Sequence, residues 1–232
     1  MFEELTKLQK YQTPIDKWGY AKKYEKEFTD YYVGISVPDL RKLSKKYYRV
    51  INNNNLNLLI HSKINDYRLF ALIILNDKIK KASLIEQKKI VEYYLKNIKF
   101  VNNWNLVDAS AYQILGMYLY NIQDFDLLYE FSNSKDLWIK RISVVATNYL
   151  IKQNELSVPL DIIDNLLEDK HDLIHKANGW MLRNIGNKNR ELLTEYLFVN
   201  YNRIPRTTLR YAIEHYEEKN RKSILKGDFS WR

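Results

Sequence analysis

The sequence predicts an all-α protein, a solenoid of antiparallel helical pairs, on three observations. Apolar residues recur with a helical period almost from end to end. The 232 residues include only 6 glycines and 4 prolines, too few for an all-β chain that turns about every 8–12 residues. Strongly apolar helices also return every 33–40 residues, the spacing of stacked helical repeats.

The elements follow in order. Phe2–Tyr11 and Ile15–Phe28 are the first predicted helices, the second opened by Thr13 and Pro14. Pro38–Tyr48 follows, opened by Ser36 with Asp39 three residues on. Asn52–Asn55 reads as a polar linker before Leu56–Lys63. Tyr67–Ile79 contains the longest apolar run, Leu69–Leu75. Leu84–Ile98 starts with a capping box, Ser83 with Glu86, and its basic face reads as solvated. Trp104–Tyr120, Phe125–Phe131, Leu137–Leu150, Pro159–Leu167, Leu173–Ile185, Arg190–Val199 and Arg206–Tyr216 complete the set. Gly34, Gly186 and Gly227 read as helix-ending glycines, and Asn187–Asn189 as a short turn. No Pro/Gly/Ser-rich stretch divides the chain, so 1–232 is expected to form a single repeat domain.

Composition narrows the function. Lys and Arg number 37 against 28 Asp and Glu, a net charge of +9 that favours polyanions. The absence of cysteine excludes a disulfide scaffold, a zinc finger, an iron–sulfur cluster and a thiol nucleophile. Leu69–Leu75 is far short of the roughly 18 apolar residues of a membrane span. Met-Phe-Glu-Glu-Leu has neither the basic nor the apolar region of a signal peptide, so a cytoplasmic protein is expected. His171 and His175 are four apart, but no Glu lies between them and no third ligand is suitably spaced, so no metal site is expected. There is no Gly-rich phosphate loop and no G-x-S-x-G elbow.

The repeat permits a comparison of equivalent positions. Arg68, Asp108, Arg141, Lys176 and Arg210 each open the second helix of a pair, spaced 40, 33, 35 and 34 residues apart. That spacing suits HEAT- or armadillo-like repeats, whose second helices commonly line one concave face. Four cations along that face would make a basic groove that tracks a phosphate backbone. Asp108 breaks the series. It weakens polyanion binding unless it has a separate task; the alternative is that it caps a helix or pairs with Arg141 or another inner cation. Trp104 lies four residues before Asp108, and Trp180 lies four after Lys176 and three before Arg183. Each indole therefore shares a helix face with charge, although core packing is the ordinary use of a tryptophan. Trp138 reads as core or groove wall, and Trp18 and Trp231 as structural.

At these residues the sequence resembles the AlkD-type DNA alkylation repair glycosylases. The resemblance is carried by Asn103-Trp104-Asn105-Leu106-Val107-Asp108 with Leu115-Gly116, and by Leu137-Trp138-Ile139-Lys140-Arg141. It is carried also by Lys176-Ala177-Asn178-Gly179-Trp180-Met181-Leu182-Arg183 and by Val33-Gly34-Ile35-Ser36-Val37-Pro38-Asp39-Leu40-Arg41. Their order and spacing hold from about Tyr24 to Tyr216. The resemblance implies a HEAT-like solenoid that excises positively charged N3- and N7-alkylated purines from duplex DNA without metal or organic cofactor; separately, a monomer is expected. It places the catalytic carboxylate on Asp108 and the lesion-facing aromatics on Trp104 and Trp180. The N-terminal tyrosine near the lesion falls closest to Tyr24, a phosphate-contacting arginine on Arg141, and a further basic contact on Arg183. Many members carry an acid directly after the first Trp, where this chain has Asn105.

The chemistry suits these residues. A cationic purine departs as a neutral base and needs no general acid. A carboxylate can stabilise the oxocarbenium sugar and position water, and a cationic base can rest on an indole. Two other readings use the same sequence: a non-catalytic reader of damaged or distorted DNA, and a HEAT-type protein-interaction scaffold. The scaffold predicts that Trp104 and Trp180 are buried; the glycosylase predicts that Asp108 is accessible beside them.

Overall fold

The computed structural model describes residues 1–11 and 30–232. The predicted helix Ile15–Phe28, with Thr13, Pro14, Trp18 and Tyr24, lies outside the described residues. The described chain is all-α. Its helices are α1 (Phe2–Lys7), α2 (Val37–Tyr47), α3 (Asn53–Ile60), α4 (Asn65–Ile79), α5 (Leu84–Lys96), α6 (Trp104–Ala111) and α7 (Met117–Ile122). They continue with α8 (Asp126–Ser132), α9 (Leu137–Lys152), α10 (Ser157–Asn165), α11 (Asp172–Lys188), α12 (Arg190–Val199), α13 (Arg206–Ala212) and α14 (Glu218–Lys226). A π-turn over Tyr112–Gly116 joins α6 to α7. Among the described residues there is no strand, only an isolated parallel bridge between Tyr31 and Ile64. Among them, too, no helix is long and apolar enough to cross a membrane.

The chain divides into two compact units, Met1–Tyr118 and Leu119–Arg232. In the first, α4 is the central helix and packs against α2, α3, α5 and α6. Its apolar run Leu69–Leu75 is buried on all sides, as a helix that is hydrophobic all round requires. In the second unit, α9 packs against α8, α10 and α11, and α11 also packs against α12 and α13. The second helices of successive pairs therefore touch within each unit, α4 to α6 and α9 to α11 to α13, as the repeat register predicts.

Side chains reinforce that register. Arg68 Nε donates to Phe100 O across 32 residues, and Arg141 donates to Leu173 O, also across 32. Thr208 Oγ1 donates to His175 O across 33. One repeat is thus fastened to the next by bonds of constant sequence reach.

Most predicted ends hold. Ser83 and Glu86 form the capping box, Ser36 accepts from Asp39 N, and Gly227 ends α14 at φ +80°. Four readings are corrected. Asn52–Asn55 is no linker: Asn52 caps α3, accepting from Asn55 N at 2.8 Å. Gly186 does not end a helix, because α11 continues to Lys188. A Cβ at Gly186 would lie 2.3 Å from Leu193 Cδ2, so the missing side chain lets α12 approach. Asn189, read as part of a turn, is the point where α11 gives way to α12, whose first turn its side chain caps. Helix α14 went unread because Ile224 is its one buried residue. Trp138 is buried, and Trp231 donates to Asp228 O and meets the Tyr216 ring edge-on, both structural as expected.

Candidate active site

The first unit holds a cleft of about 530 Å³ whose lining includes Tyr11, Tyr32, Gly34, Asp66, Trp104 and Asp108. Trp104 opens α6 and Asp108 follows one turn later, so the predicted shared face is the one that lines the cleft. Both side chains are half-buried.

The start of α6 is held by a buried polar network. Asn103, at the N-cap position, donates from Nδ2 to Asp30 Oδ2 at 2.9 Å and to the Tyr32 hydroxyl at 3.0 Å. Asn105 and Asn65 exchange amide hydrogen bonds of 2.7 and 3.2 Å, and Asn65 also donates to Asp30 Oδ2 at 2.7 Å. Asn105 thus belongs to the support of Trp104 and also lines the cleft. Burial, with Asp30 beside it, pushes the Tyr32 hydroxyl up to about 12, so it stays protonated near neutrality.

Opposite lies the loop before α2. Gly34, at φ +73°, sits where a Cβ would come within 2.7 Å of the Tyr11 ring, so only glycine lets that ring rest on the backbone. Asp66 clamps the loop, accepting from Val33 N at 3.0 Å and Ile35 N at 2.9 Å through its two oxygens. Burial pushes its carboxyl above the ordinary range despite these bonds. Of the two carboxylates lining the cleft, Asp66 is 7% exposed and committed to backbone, whereas Asp108 is half-exposed. Asp108 also borders a second hollow of about 400 Å³, which includes Asn76, Lys80 and Gln113.

The model that describes the DNA alkylation repair enzymes matches residues 5–216. The chain belongs to that family. A solved structure described as a "Predicted DNA alkylation repair enzyme from Enterococcus faecalis" is 16% identical to this chain, with a TM-score of 0.67 over 86% of this chain and 93% of that one. That likeness establishes the fold, an all-α stack of helical repeats. No curated protein sequence matches the chain. Membership of the DNA alkylation repair family gives the chain a part in repairing alkylation damage and makes DNA its expected partner.

Within this member of the DNA alkylation repair family, the predicted cations divide. Arg68 is 3% exposed. Its guanidinium pairs with Asp30 and donates to Ser62 O at 2.8 Å, Phe100 O at 3.1 Å and Asn102 Oδ1 at 3.2 Å. Arg141 is 5% exposed and donates to Leu173 O. Neither is a phosphate contact in this structure; both are repeat fasteners, because their helix starts face main-chain carbonyls that need donors. In the second unit Lys176 pairs with Asp172 at 3.0 Å, Arg183 pairs with Glu214, and Arg210 is exposed on α13. Trp180, beside them on α11, is half-buried. The preceding Gly179 lets α11 and α13 approach, since a Cβ there would lie 2.4 Å from Tyr211 Cβ.

The two histidines have local work. His171 Nδ1 accepts from Leu173 N at the start of α11, and His175 Nε2 bonds Asp169 O. Sequence reasoning read Gly34 as a helix end and gave Arg41 no task; residues 30–33 before Gly34 are not helical, and both Gly34 and Arg41 line the cleft. Tyr32 and Asn65 carried no signal that could have singled them out; Tyr11 stood only as the end of a predicted helix, and Asn105 only as a departure from the family pattern.

Proposed function

We propose that the chain is a monofunctional DNA glycosylase that excises positively charged N3- and N7-alkylated purines from duplex DNA. The observation that carries this is Asp108: a half-exposed carboxylate on a cleft wall, one helical turn from a half-buried indole. A scaffold protein would bury that indole, and a cation-lined groove would gain nothing from the acid.

In this reading the cationic purine lies against Trp104, and the carboxylate faces the sugar. The C1′–N bond breaks and its electron pair leaves with the purine, cancelling the base's positive charge. The Asp108 carboxylate stabilises the sugar cation electrostatically. A water oxygen bonds to C1′ and its proton passes to the carboxylate or to solvent. The products are a neutral alkylpurine and an abasic site. In the second unit, Trp180, Lys176, Arg183 and Arg210 are the contacts to DNA in this reading. No metal or organic cofactor takes part.

The test is release of free 7-methylguanine and 3-methyladenine from methylated duplex DNA by the purified chain, with and without a chelator. Release above the spontaneous rate, unaffected by chelator, is expected. Tight duplex binding with no release would replace this reading with a non-catalytic reader of damaged DNA.

A further inference from the structure

Helix α6 does not run straight into α7. The π-turn over Tyr112–Gly116 begins four residues after Asp108. Such turns close i→i+5 rings, are rare, and recur at functional sites. Between Asp108 and this turn lies Ala109, whose carbonyl receives a hydrogen bond from outside the helix. Asn76, on the neighbouring α4, donates from Nδ2 to Ala109 O at 2.7 Å.

Asn76 is 5% exposed. Its Oδ1 is buried and has no hydrogen-bond partner among the described residues. An unpaired buried acceptor is a cost that an apolar side chain of the same shape would avoid, so the donated bond is what the amide contributes here. That bond fixes the Ala109–Ser110 peptide group, the second after Asp108, to the most buried helix of the unit. Asn76 and Asp108 also border the same hollow.

We propose that Asn76 is a positioning residue for Asp108: by anchoring the Ala109 carbonyl at the approach to the π-turn, it sets the direction in which the carboxylate enters the cleft. This rests on the reading of Asp108 given above. A carboxylate aimed at a developing charge loses much of its effect when displaced by about an ångström.

The test compares the full-length native chain with Asn76→Leu, Asp108→Asn and the double variant. Leucine keeps the approximate shape and removes both the donor and the orphaned acceptor. Single-turnover release of 7-methylguanine should fall about tenfold in Asn76→Leu, while melting temperature holds or rises and duplex affinity is unchanged. In the Asp108→Asn background the same substitution should slow release no further. Native release by folded Asn76→Leu overturns the proposal, as does an equal fold-loss in both backgrounds, which would mean that Asn76 acts without Asp108. If Asn76→Leu does not fold, Asn76→Ala takes its place: it removes the donor and the orphaned acceptor without adding bulk, and a native rate in it overturns the proposal. Failure of the Asp108 reading shows separately, as native release by the Asp108→Asn protein alone, and removes both.

Discussion

Arg68 and Asp30 form an ion pair in which each side chain is only 4% exposed. Breaking such a pair strands the surviving charge away from water, at about 3–5 kcal/mol. Asp30→Ala and Arg68→Ala are therefore expected to melt far below the native chain. Arg210, exposed on α13, is the opposite case. Arg210→Ala should leave melting unchanged and lower the salt slope of duplex binding by about 0.9, the contribution of one phosphate. Thermal melts and a salt titration of affinity on the three variants check the assignment; a stable Arg68→Ala protein with a reduced slope would reverse it.

Asp108→Asn removes charge with little change of shape. Base release is expected to fall roughly 10²–10³-fold, as when one stabiliser of a charged transition state is lost. Duplex affinity should hold or rise, because an acid has left a polyanion-binding surface. A structural cap would behave differently, losing about 0.5–2 kcal/mol of stability with release falling only as the protein unfolds. Melting temperature, affinity and single-turnover release on one preparation separate the two.

Trp104 and Trp180 are both half-buried, so alanine at either should cost only about 1–2 kcal/mol of stability. Loss of a cation–π face should slow excision of 7-methylguanine about 5- to 30-fold. Loss of several kcal/mol in both variants would make the indoles core residues.

Asp169 gives a pH-dependent prediction. Burial would raise its carboxyl, but the Lys140 ammonium and the His171 N–H outweigh it and hold the group below its ordinary 3.8. Stability from such a group is fully present above the unfolded value and is lost as pH falls through the folded one. Asp169→Asn should therefore be less stable than the native chain near neutrality. The gap should close below pH 3.8. Denaturant melts across that range measure it; a constant gap would mean that the pair's charge is not its contribution.

Much of this was legible because helical period and cap residues act locally. The i,i+4 spacing put Trp104 and Asp108 on one face, and they share one cleft. Repeat spacing also located Arg68 and Arg141, yet it misassigned them. Equivalent position says where on a helix a residue lies, not what comes to cover it. The carbonyls that claim these arginines belong to Ser62, Phe100 and Leu173, and their approach is set by packing between repeats. The π-turn was illegible for a similar reason: Trp104–Tyr120 has an unbroken apolar period, and Asn76, 33 residues before Ala109, carries no pattern.

The constant reach of the fastening bonds bears on how the molecule comes apart. A stack of repeats whose neighbours meet only through apolar contact can fray from an end, one pair at a time. Here Arg68 cannot release Phe100 O, nor Arg141 release Leu173 O, without giving up a bond made by a guanidinium that is buried in the native packing. Opening one repeat therefore exposes a penalty in the next. Amide exchange should report α4 with α6, and α9 with α11, as joint protection classes, giving each unit the all-or-none unzipping of a globular core rather than the gradual peeling of a filament.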